Sequence, residues 1–460
     1  MLIVETPYRN LPEHDYVLHV ILDTFLGLPY SMRRTDLSDI CIRHDGRTLA
    51  LSSPFFAMLA KSGLAAEMLP RPPLEHWNAG QLEAPTRLTS PDVPVLYGKP
   101  HISGSEDQIK IEIDLLGSIF FMLSRLEEVL TGDRDNHDRF PATASLAFRA
   151  GFLERPIVDE YVEILWTCLT MLWPGLQRRP RTFRVQTSCD VDQPFSPARN
   201  DAVRFARHLV RDTLKLGSPR LAARDVMNFA YGVLGRENYS HDPYYSAIEW
   251  MLDVNEAAGT CPMTFYVKAG HSCPEHDTRY LLTEPVIERM LGRIHDRGHE
   301  IGLHPSYETF RDAGLICQEA ERLRQTMTRI GIGQTKLGGR QHYLRWETPT
   351  TARAYEAAGL DHDSTLSFAD RAGFRCGTCH EYPFFDVHER RVLRIIEKPL
   401  VVMECTTIEY MQLGYSDAAL DQMVQLKETC RRFDGAFTLL WHNSHFLREK
   451  DRHFYTELLA

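Results

Sequence analysis

Hydrophobic positions with helical spacing alternate with short apolar runs over the second half of the chain. Helices are predicted over roughly Glu284–Asp296 and over Tyr244–Ala258, because apolar residues recur at every third or fourth position in both. Gly298 follows the first of them, where the end of a helix favours glycine. Residues 262–267 and 299–303 are predicted strands. This alternation continues to residue 443 and is typical of an α/β fold with a parallel sheet.

The first third of the chain follows a different pattern. An amphipathic helix is predicted from Tyr16, and two short segments around a turn at residues 44–46 predict a β-hairpin. Residues 69–100 hold seven of the 26 prolines and are predicted to be irregular. Further helices are predicted over Asp114–Glu128 and Ile157–Leu172. The predicted organisation is a smaller α+β domain at 1–155, a helix and linker at 156–182, and an α/β domain at 183–460.

Composition narrows the class of protein. Hydrophobic residues make up 43% of the chain and charged residues 25%, as in ordinary soluble proteins. The net charge of −10 argues against general binding to nucleic acid. The first residues lack a basic segment followed by an apolar core, so no signal peptide is predicted, and the longest apolar run, Ile164–Trp173, is too short to span a bilayer. The ten cysteines are scattered without the spacing of a disulfide framework, so reduced thiols and a cytoplasmic location are expected.

Two stretches carry candidate chemistry. His304 lies where the predicted strand 299–303 ends, and side chains at the carboxyl ends of parallel strands point into the site of an α/β fold. Asp190 and Asp192 follow another β-rich segment, and carboxylates two positions apart share one side of a strand. Carboxylate and imidazole ligands together suit zinc, manganese, iron or cobalt. The ordinary alternatives are a hydrogen-bonded loop histidine and an aspartate-rich turn ended by Pro194.

With both stretches in view, residues 183–446 resemble the polysaccharide deacetylase family, also called carbohydrate esterase family 4 or the NodB-homology domain. That family has five ordered motifs, and each has a counterpart in this chain. The counterparts are Thr187–Asp192, Gly298–His304, Arg340–Tyr343, Gly359–Ser364 and Leu439–His442. The resemblance implies a distorted (β/α) barrel as the catalytic domain. An uncharacterised domain precedes divergent deacetylases of this kind, and the helix at 114–128 resembles one of its helices.

The resemblance also implies roles for individual side chains. Asp192 and His304 would bind a divalent metal ion, with zinc as the expected ion. Asp190 would be the general base, held ionised by Arg340, and His442 would be the general acid. The backbone N–H of Tyr343 would help to stabilise the oxyanion. The implied activity is hydrolysis of N-acetyl groups on a carbohydrate, such as a surface polysaccharide or its precursor.

One departure from the family pattern leaves the third metal ligand open. The family's second metal histidine comes four residues after the first, and Glu308 occupies that position here. Glu308 reaches the ion if the segment after His304 turns helical, which brings positions i and i+4 together. Alternatively His342, which replaces the proline of the third motif, reaches the ion from the end of the next strand. We favour His342.

Other functions remain as alternatives. Asp190 and Asp192 also fit the metal–nucleotide-sugar clamp of a glycosyltransferase, and a catalytically inactive glycan-binding relative would retain the same fold. Residues 200–224 are basic and partly amphipathic, which indicates a solvated face or, alternatively, contact with an anionic membrane or a lipid-linked glycan. The basic residues of this segment include Arg204, Arg207, Arg211 and Lys215. Cys376–His380 has the haem-attachment pattern, but without an export signal a substrate-facing loop is expected there.

Overall fold

The computed structural model describes residues 1–8, 12–37, 39–82, 84–215, 217–260 and 262–460, and the side chain of Lys215 lies outside this description. Two large hydrophobic cores organise these residues. One is built mainly from residues 2–173 and the other from residues 185–459. We call the two parts of the chain the first unit and the second unit.

The first unit is a mixed sheet covered by helices. Its six-stranded sheet has the order β2-β1-β3-β4-β8-β7, and β5 and β6 form a separate two-stranded ribbon within the proline-rich stretch. The strands are β1 (Leu2–Pro7), β2 (Tyr30–Thr35), β3 (Ile40–His44), β4 (Arg47–Leu51), β5 (Glu75–Asn78), β6 (Asp92–Val95), β7 (Gly98–Gly104) and β8 (Gln108–Ile113). The predicted hairpin at residues 44–46 is confirmed as the antiparallel pair β3–β4.

The helices of the first unit share one hydrophobic core with this sheet. They are α1 (Pro12–Leu18, continued by a π-helical turn at His19–Phe25), α2 (Pro54–Ser62), α3 (Leu115–Leu123), α4 (Leu126–Leu130), α5 (Leu146–Arg149) and α6 (Ile157–Leu172). The prediction of one continuous helix over 114–128 was wrong. Arg125 adopts a left-handed φ of 52° and separates α3 from α4, because its buried guanidinium turns back to bind Glu127 and Glu128.

The second unit contains a nine-stranded sheet with the order β14-β15-β13-β12-β11-β10-β9-β17-β16. All neighbouring strands in it are parallel except the antiparallel edge pair β14–β15. The strands are β9 (Arg184–Val191), β10 (Thr264–Val267), β11 (Glu300–Leu303), β12 (Gly338–Gly339), β13 (His362–Asp363), β14 (Tyr382–Asp386), β15 (Arg391–Glu397), β16 (Val402–Met403) and β17 (Ala436–Leu440). The predicted parallel sheet is confirmed. Strand pairing within the described residues does not close it, so the barrel stays a prediction.

Helices connect the strands of the second unit in the alternation that the sequence predicts. They are α7 (Ala202–Val210, continued by a π-helical turn at Arg211–Lys215), α8 (Pro219–Val233), α9 (Pro243–Ala258), α10 (Pro285–Asp296), α11 (Ala313–Arg329), α12 (Thr350–Ala357), α13 (Asp417–Arg432) and α14 (Glu449–Leu459). Gly298 has a φ of +81° after α10, a conformation that glycine adopts without the steric cost of a Cβ. No helix in the described part of the chain is long and apolar enough to cross a membrane.

A buried ion network joins the two units. Glu128 of the first unit accepts hydrogen bonds from Arg375 of the second unit at 2.8 and 2.9 Å, and also from Arg125 at 2.9 Å. Burial alone would raise the pKa of Glu128, but the charges of Arg375 and Arg125 lower it to about 2. The carboxylate therefore stays ionised although it is almost fully buried, as the pairing of buried charges requires.

The Cys376–His380 loop belongs to the same junction. Both cysteines are buried, and the carboxylate of Asp159 on α6 accepts hydrogen bonds from the hydroxyl of Thr378 at 2.6 Å and the backbone N–H of Cys379 at 3.0 Å. The expectation that this loop faces the substrate was therefore wrong. Its cysteines contribute packing between the units, and its backbone is held by one carboxylate.

Candidate metal and acid–base site

The carboxyl ends of the parallel strands meet at one cavity of about 240 Å³. Strand β9 brings Asp190 and Asp192 to it, β11 brings His304, the turn after β12 brings His342, and β17 brings His442. Parallel strands place their carboxyl ends at one edge of the sheet, so residues more than 200 positions apart in sequence become neighbours.

Three of these side chains could hold a metal ion. The ligand atoms of Asp192, His304 and His342 all lie within 4.8 Å of one another. Oδ1 of Asp192 is 3.2 Å from Nε2 of His304 and 3.2 Å from Nε2 of His342. One carboxylate and two imidazoles are a donor set typical of zinc and neighbouring transition metals.

Neighbouring hydrogen-bond acceptors orient the imidazoles of His304 and His342 toward Asp192. Nδ1 of His304 lies 2.6 Å from the backbone carbonyl of Arg340, and Nδ1 of His342 lies 2.9 Å from Oδ1 of Asp277. Both contacts suit a donating Nδ1–H, which leaves the Nε2 lone pair free to face Asp192. Metal-binding histidines are commonly held in this way by a carbonyl or carboxylate. Oδ1 of Asp192 and Nε2 of His304 are buried without a hydrogen-bond partner, so this donor set fits a cation.

Lys268, at the end of β10, introduces a positive charge beside the cluster. Its Nζ lies 3.2 Å from Nε2 of His342 and 3.4 Å from Oδ1 of Asp192, and the side chain is buried. Burial alone would raise the pKa of Asp192, but the neighbouring His342, the charge of Lys268 and the contacts with both imidazoles hold it well below its usual value. A metal ion bound by all three side chains would compete with Lys268 for two of the same atoms.

Asp190 sits beside the cluster as half of a buried ion pair. Its Oδ1 accepts a hydrogen bond from Nη1 of Arg340 at 3.1 Å, while its Oδ2 lies 3.8 Å from Nε2 of His304. Arg340 is held in turn by the hydroxyls of Ser188 at 2.6 Å and Ser364 at 2.8 Å. Asp190 is thus positioned with one oxygen anchored and the other directed at the centre of the cluster.

His442 and Glu404 form a second acid–base pair across the cavity. Oε1 of Glu404 accepts from the backbone N–H of His442 at 2.9 Å and lies 2.6 Å from its Nδ1. Burial alone would lower the pKa of His442, but the Glu404 carboxylate raises it well above the usual value. Burial would raise the pKa of Glu404, yet the charge and hydrogen bonds of His442 lower it to about 2. The pairing with Glu404 therefore favours the imidazolium form of His442, whose Nε2 lies 3.7 Å from Oδ2 of Asp192.

The structure does not bring Glu308 to this group. Its side chain is 52% exposed and pairs with Arg345 at 3.2 Å, because the segment after His304 forms a 3₁₀ turn at Tyr307–Arg311 that turns Glu308 outward. Tyr343 lines the cavity in a left-handed conformation with a φ of 61°, and its ring lies 4.7 Å from that of His342. The other predicted site residues line one cavity, except Arg340, which is buried behind it and contacts Asp190.

Four further residues of the site were missed by reasoning from the sequence. Asp277 and Glu404 orient His342 and His442, Lys268 contacts the cluster, and Arg139 of the first unit lines the same cavity. Arg139 is anchored by Asp135 at 2.7 Å and donates to the carbonyl of Tyr343 at 3.0 Å. Lys268 directly follows a predicted strand, a signal that could have identified it. The other three lie on loops or short segments with no recognisable spacing.

The comparisons with known proteins concern both units. Residues 2–174 match a family model described as a family of unknown function, DUF7033. No curated protein matches the chain.

Solved structures similar to the chain include a protein described as a polysaccharide deacetylase from Mycobacterium smegmatis. Identity to it is 17%, with a TM-score of 0.37, covering 61% of this chain and 85% of that one. Another is described as Puue allantoinase, with 13% identity and a TM-score of 0.35 over 62% and 85% of the two chains. Both similarities are weak in sequence and in geometry.

Proposed function

We propose that this protein is a metal-dependent hydrolase that removes N-acetyl groups from a carbohydrate. The observation that carries the proposal is the convergence of three parts at one cavity. These parts are the donor cluster of Asp192, His304 and His342, a carboxylate anchored by Arg340, and an imidazolium anchored by Glu404. Amide hydrolysis needs a base for water, an acid for the leaving amine and stabilisation of the oxyanion.

Asp192, His304 and His342 would hold the ion. When bound, a divalent ion supplies polarisation of a carbonyl and a lowered pKa for adjacent water. Oδ2 of Asp190 faces the same centre and would accept the proton of the attacking water, while Arg340 keeps Oδ1 fixed and balances the negative charge. One oxygen of Asp190 is thus held by Arg340, and the other would accept the proton.

His442 would act on the other side of the scissile bond. As the C–N bond breaks, Nε2 of the imidazolium donates its proton to the nitrogen, and the products are acetate and a free amine. Glu404 stabilises the imidazolium and keeps the Nδ1–H directed away from the cavity. An amine is a poor leaving group without a proton, so a protonated histidine at this position suits amide hydrolysis. The choice of an N-acetylated sugar comes from the resemblance of the sequence motifs.

The geometry of the two aspartates favours this proposal over a glycosyltransferase. An Asp-x-Asp clamp directs carboxylates at a metal–nucleotide complex, whereas one oxygen of Asp190 is bound by Arg340 and Asp192 faces two histidines. An inactive glycan-binding relative would have no need for the pairing of His442 with Glu404. Arg139 and Tyr343 give the cavity the cationic and aromatic surfaces that sugars commonly contact.

Metal analysis tests the first part of the proposal. We expect about one transition-metal ion per chain after reconstitution, lost from Asp192→Asn and His304→Ala and retained by Glu308→Gln, whose side chain lies outside the cluster. Release of amine from N-acetylated sugars tests the second part. His442→Gln should keep the metal and lose at least about a hundredfold in kcat. Absence of metal from the reconstituted wild type would contradict the proposal, and binding of a nucleotide sugar at the site would favour the glycosyltransferase.

A further inference from the structure

Helix α8 buries two polar side chains and exposes several large apolar ones. Its buried side chains are Ala222, Asp225 and Asn228, whereas a continuous exposed face carries larger apolar side chains. On that face Val226 is 45% exposed, Met227 42% and Val233 69%, and Leu234 just after the helix is 66% exposed. A surface helix normally has the opposite arrangement, with its apolar stripe toward the core.

Specific contacts fix this orientation. Asn228 donates to Asp242 at 2.8 Å and accepts from Arg199 at 2.6 Å, both within the protein. At Gly232 the helix lies so close to its neighbour that a Cβ would be 2.1 Å from the carbonyl oxygen of Arg199. Rotating the helix to bury its apolar face would break these hydrogen bonds and force a steric clash. These contacts therefore fix the apolar face of α8 in its outward orientation.

The preceding helix extends the same surface. Val203 is 61% exposed, Val210 53% and Leu214 80%, and stacking of Phe205 on Phe229 at 4.3 Å joins α7 to α8. Of the 18 large apolar side chains exposed in the described residues, seven lie between positions 203 and 234. Scattered exposed apolar residues are normal, but such a concentration indicates a binding surface. We call α7, α8 and their connection, residues 202–234, the hairpin.

The charge of the hairpin identifies its partner. Residues 202–234 contain six arginines and lysines and two aspartates, a net charge of +4 in a chain of net charge −10. Both aspartates, Asp212 and Asp225, are buried, whereas Arg204, Arg207 and Arg220 are exposed. A second copy docking through this face would bring like charges together. A bilayer with anionic headgroups matches the positive charge and accepts the apolar side chains.

We propose that the hairpin docks on the surface of an anionic phospholipid bilayer. The exposed valines, methionine and leucines would enter the boundary between headgroups and acyl chains, and the arginines would contact lipid phosphates. This docking does not depend on the proposed hydrolysis.

The hairpin also borders the candidate active site. A groove of about 670 Å³ is lined by Arg211 at the start of the hairpin connection and by Tyr244, and it shares Gln193, Glu409 and His445 with the catalytic cavity. A docked protein would therefore hold this groove beside the bilayer. A substrate whose N-acetylated sugar is attached to a lipid would reach the cavity by this route.

Vesicle flotation tests the docking directly. The 460-residue protein is mixed with vesicles of phosphatidylcholine alone or with about one third phosphatidylglycerol. We expect flotation with the anionic vesicles, weakened by added salt, and little with the neutral ones. An apolar variant (Val226→Ser, Met227→Ser, Val233→Ser and Leu234→Ser) and a charge variant (Arg204→Gln, Arg207→Gln and Arg220→Gln) should each bind at least about tenfold more weakly.

A matched control changes exposed residues outside the hairpin, with Leu281→Ser, Val392→Ser and Arg394→Gln, and should bind like the wild type. Equal unfolding temperatures for all variants would show that the hairpin changes act on binding and leave the fold intact. Failure of the wild type to float would overturn the proposal, as would flotation by both hairpin variants equal to that of the wild type. A dimer in light scattering that dissociates in the apolar variant, with no flotation, would assign the face to a second copy and overturn the proposal as well.

Discussion

Replacement of Asp277 by asparagine should weaken metal binding although Asp277 is not proposed as a ligand. Oδ1 of Asp277 lies 2.9 Å from Nδ1 of His342, and both side chains are buried. Burial alone would raise the pKa of Asp277, but the hydrogen bond with His342 and those of backbone amides lower it well below the usual value. The carboxylate is thus a charged acceptor that fixes the ring of His342 with Nε2 toward Asp192.

The magnitude follows from the lost charge. A hydrogen bond to a charged group contributes about 1.5–3 kcal/mol, and each 1.4 kcal/mol corresponds to a factor of ten in affinity. We therefore expect the metal dissociation constant of Asp277→Asn to rise by about 10–100-fold, the range typical for residues that orient a metal-binding histidine. Asparagine keeps the size of the side chain, so the loop amides of Ser272 and Cys273 retain an acceptor.

Competition with a chromophoric chelator measures these dissociation constants. His342→Ala should lose more affinity than Asp277→Asn, because it removes a proposed ligand itself. Glu308→Gln is the matched control and should equal the wild type, since Glu308 is exposed and pairs with Arg345. Wild-type affinity in a correctly folded Asp277→Asn protein would refute the role of Asp277. A loss in Glu308→Gln as large as that in His342→Ala would refute the ligand assignment.

Two further predictions concern other buried carboxylates. In Glu404→Gln the pKa of His442 should fall, because Glu404 is the charge that raises it. Since a general acid works only while protonated, the alkaline limb of the kcat/KM profile should move to lower pH, and an unmoved limb would exclude this pairing as the cause. Glu128 has a folded-state pKa of about 2, below its ordinary value of 4.5. The ionised carboxylate therefore contributes about 3 kcal/mol to the free energy of unfolding. This contribution is fully present above pH 4.5 and is lost as the pH falls toward 2. The free energies of unfolding of the wild type and Glu128→Gln, measured in urea, should differ by that amount at pH 7 and converge near pH 2. A difference that stays constant with pH would contradict the assignment of this pH dependence to Glu128.

Local patterns in the sequence determined most of the secondary structure. The helices Ile157–Leu172 and Pro285–Asp296 follow from apolar spacing, and the antiparallel pair β3–β4 follows from its turn residues. Both signals depend on neighbours in the chain. The predicted helix at 114–128 failed at Arg125, where a buried ion network outweighs helix propensity. Local pattern also could not reveal that α8 exposes its apolar face, since the same spacing fits a helix turned either way.

Some residues of the candidate site were indicated by the sequence, and others were revealed only by the tertiary structure. Strand-end positions indicated Asp190, Asp192 and His304, because each follows or ends a recognisable strand, whereas His442 was indicated by the resemblance of the sequence motifs. Only the tertiary structure separated His342 from Glu308, since the 3₁₀ turn after His304 directs Glu308 outward while His342 is held by Asp277. It also supplied Lys268, Glu404 and Arg139, which the parallel sheet and the packing of the first unit bring together from distant positions. Sequence spacing determines which side chains a strand end presents, whereas their distances, partners and charges depend on contacts between segments that fold together.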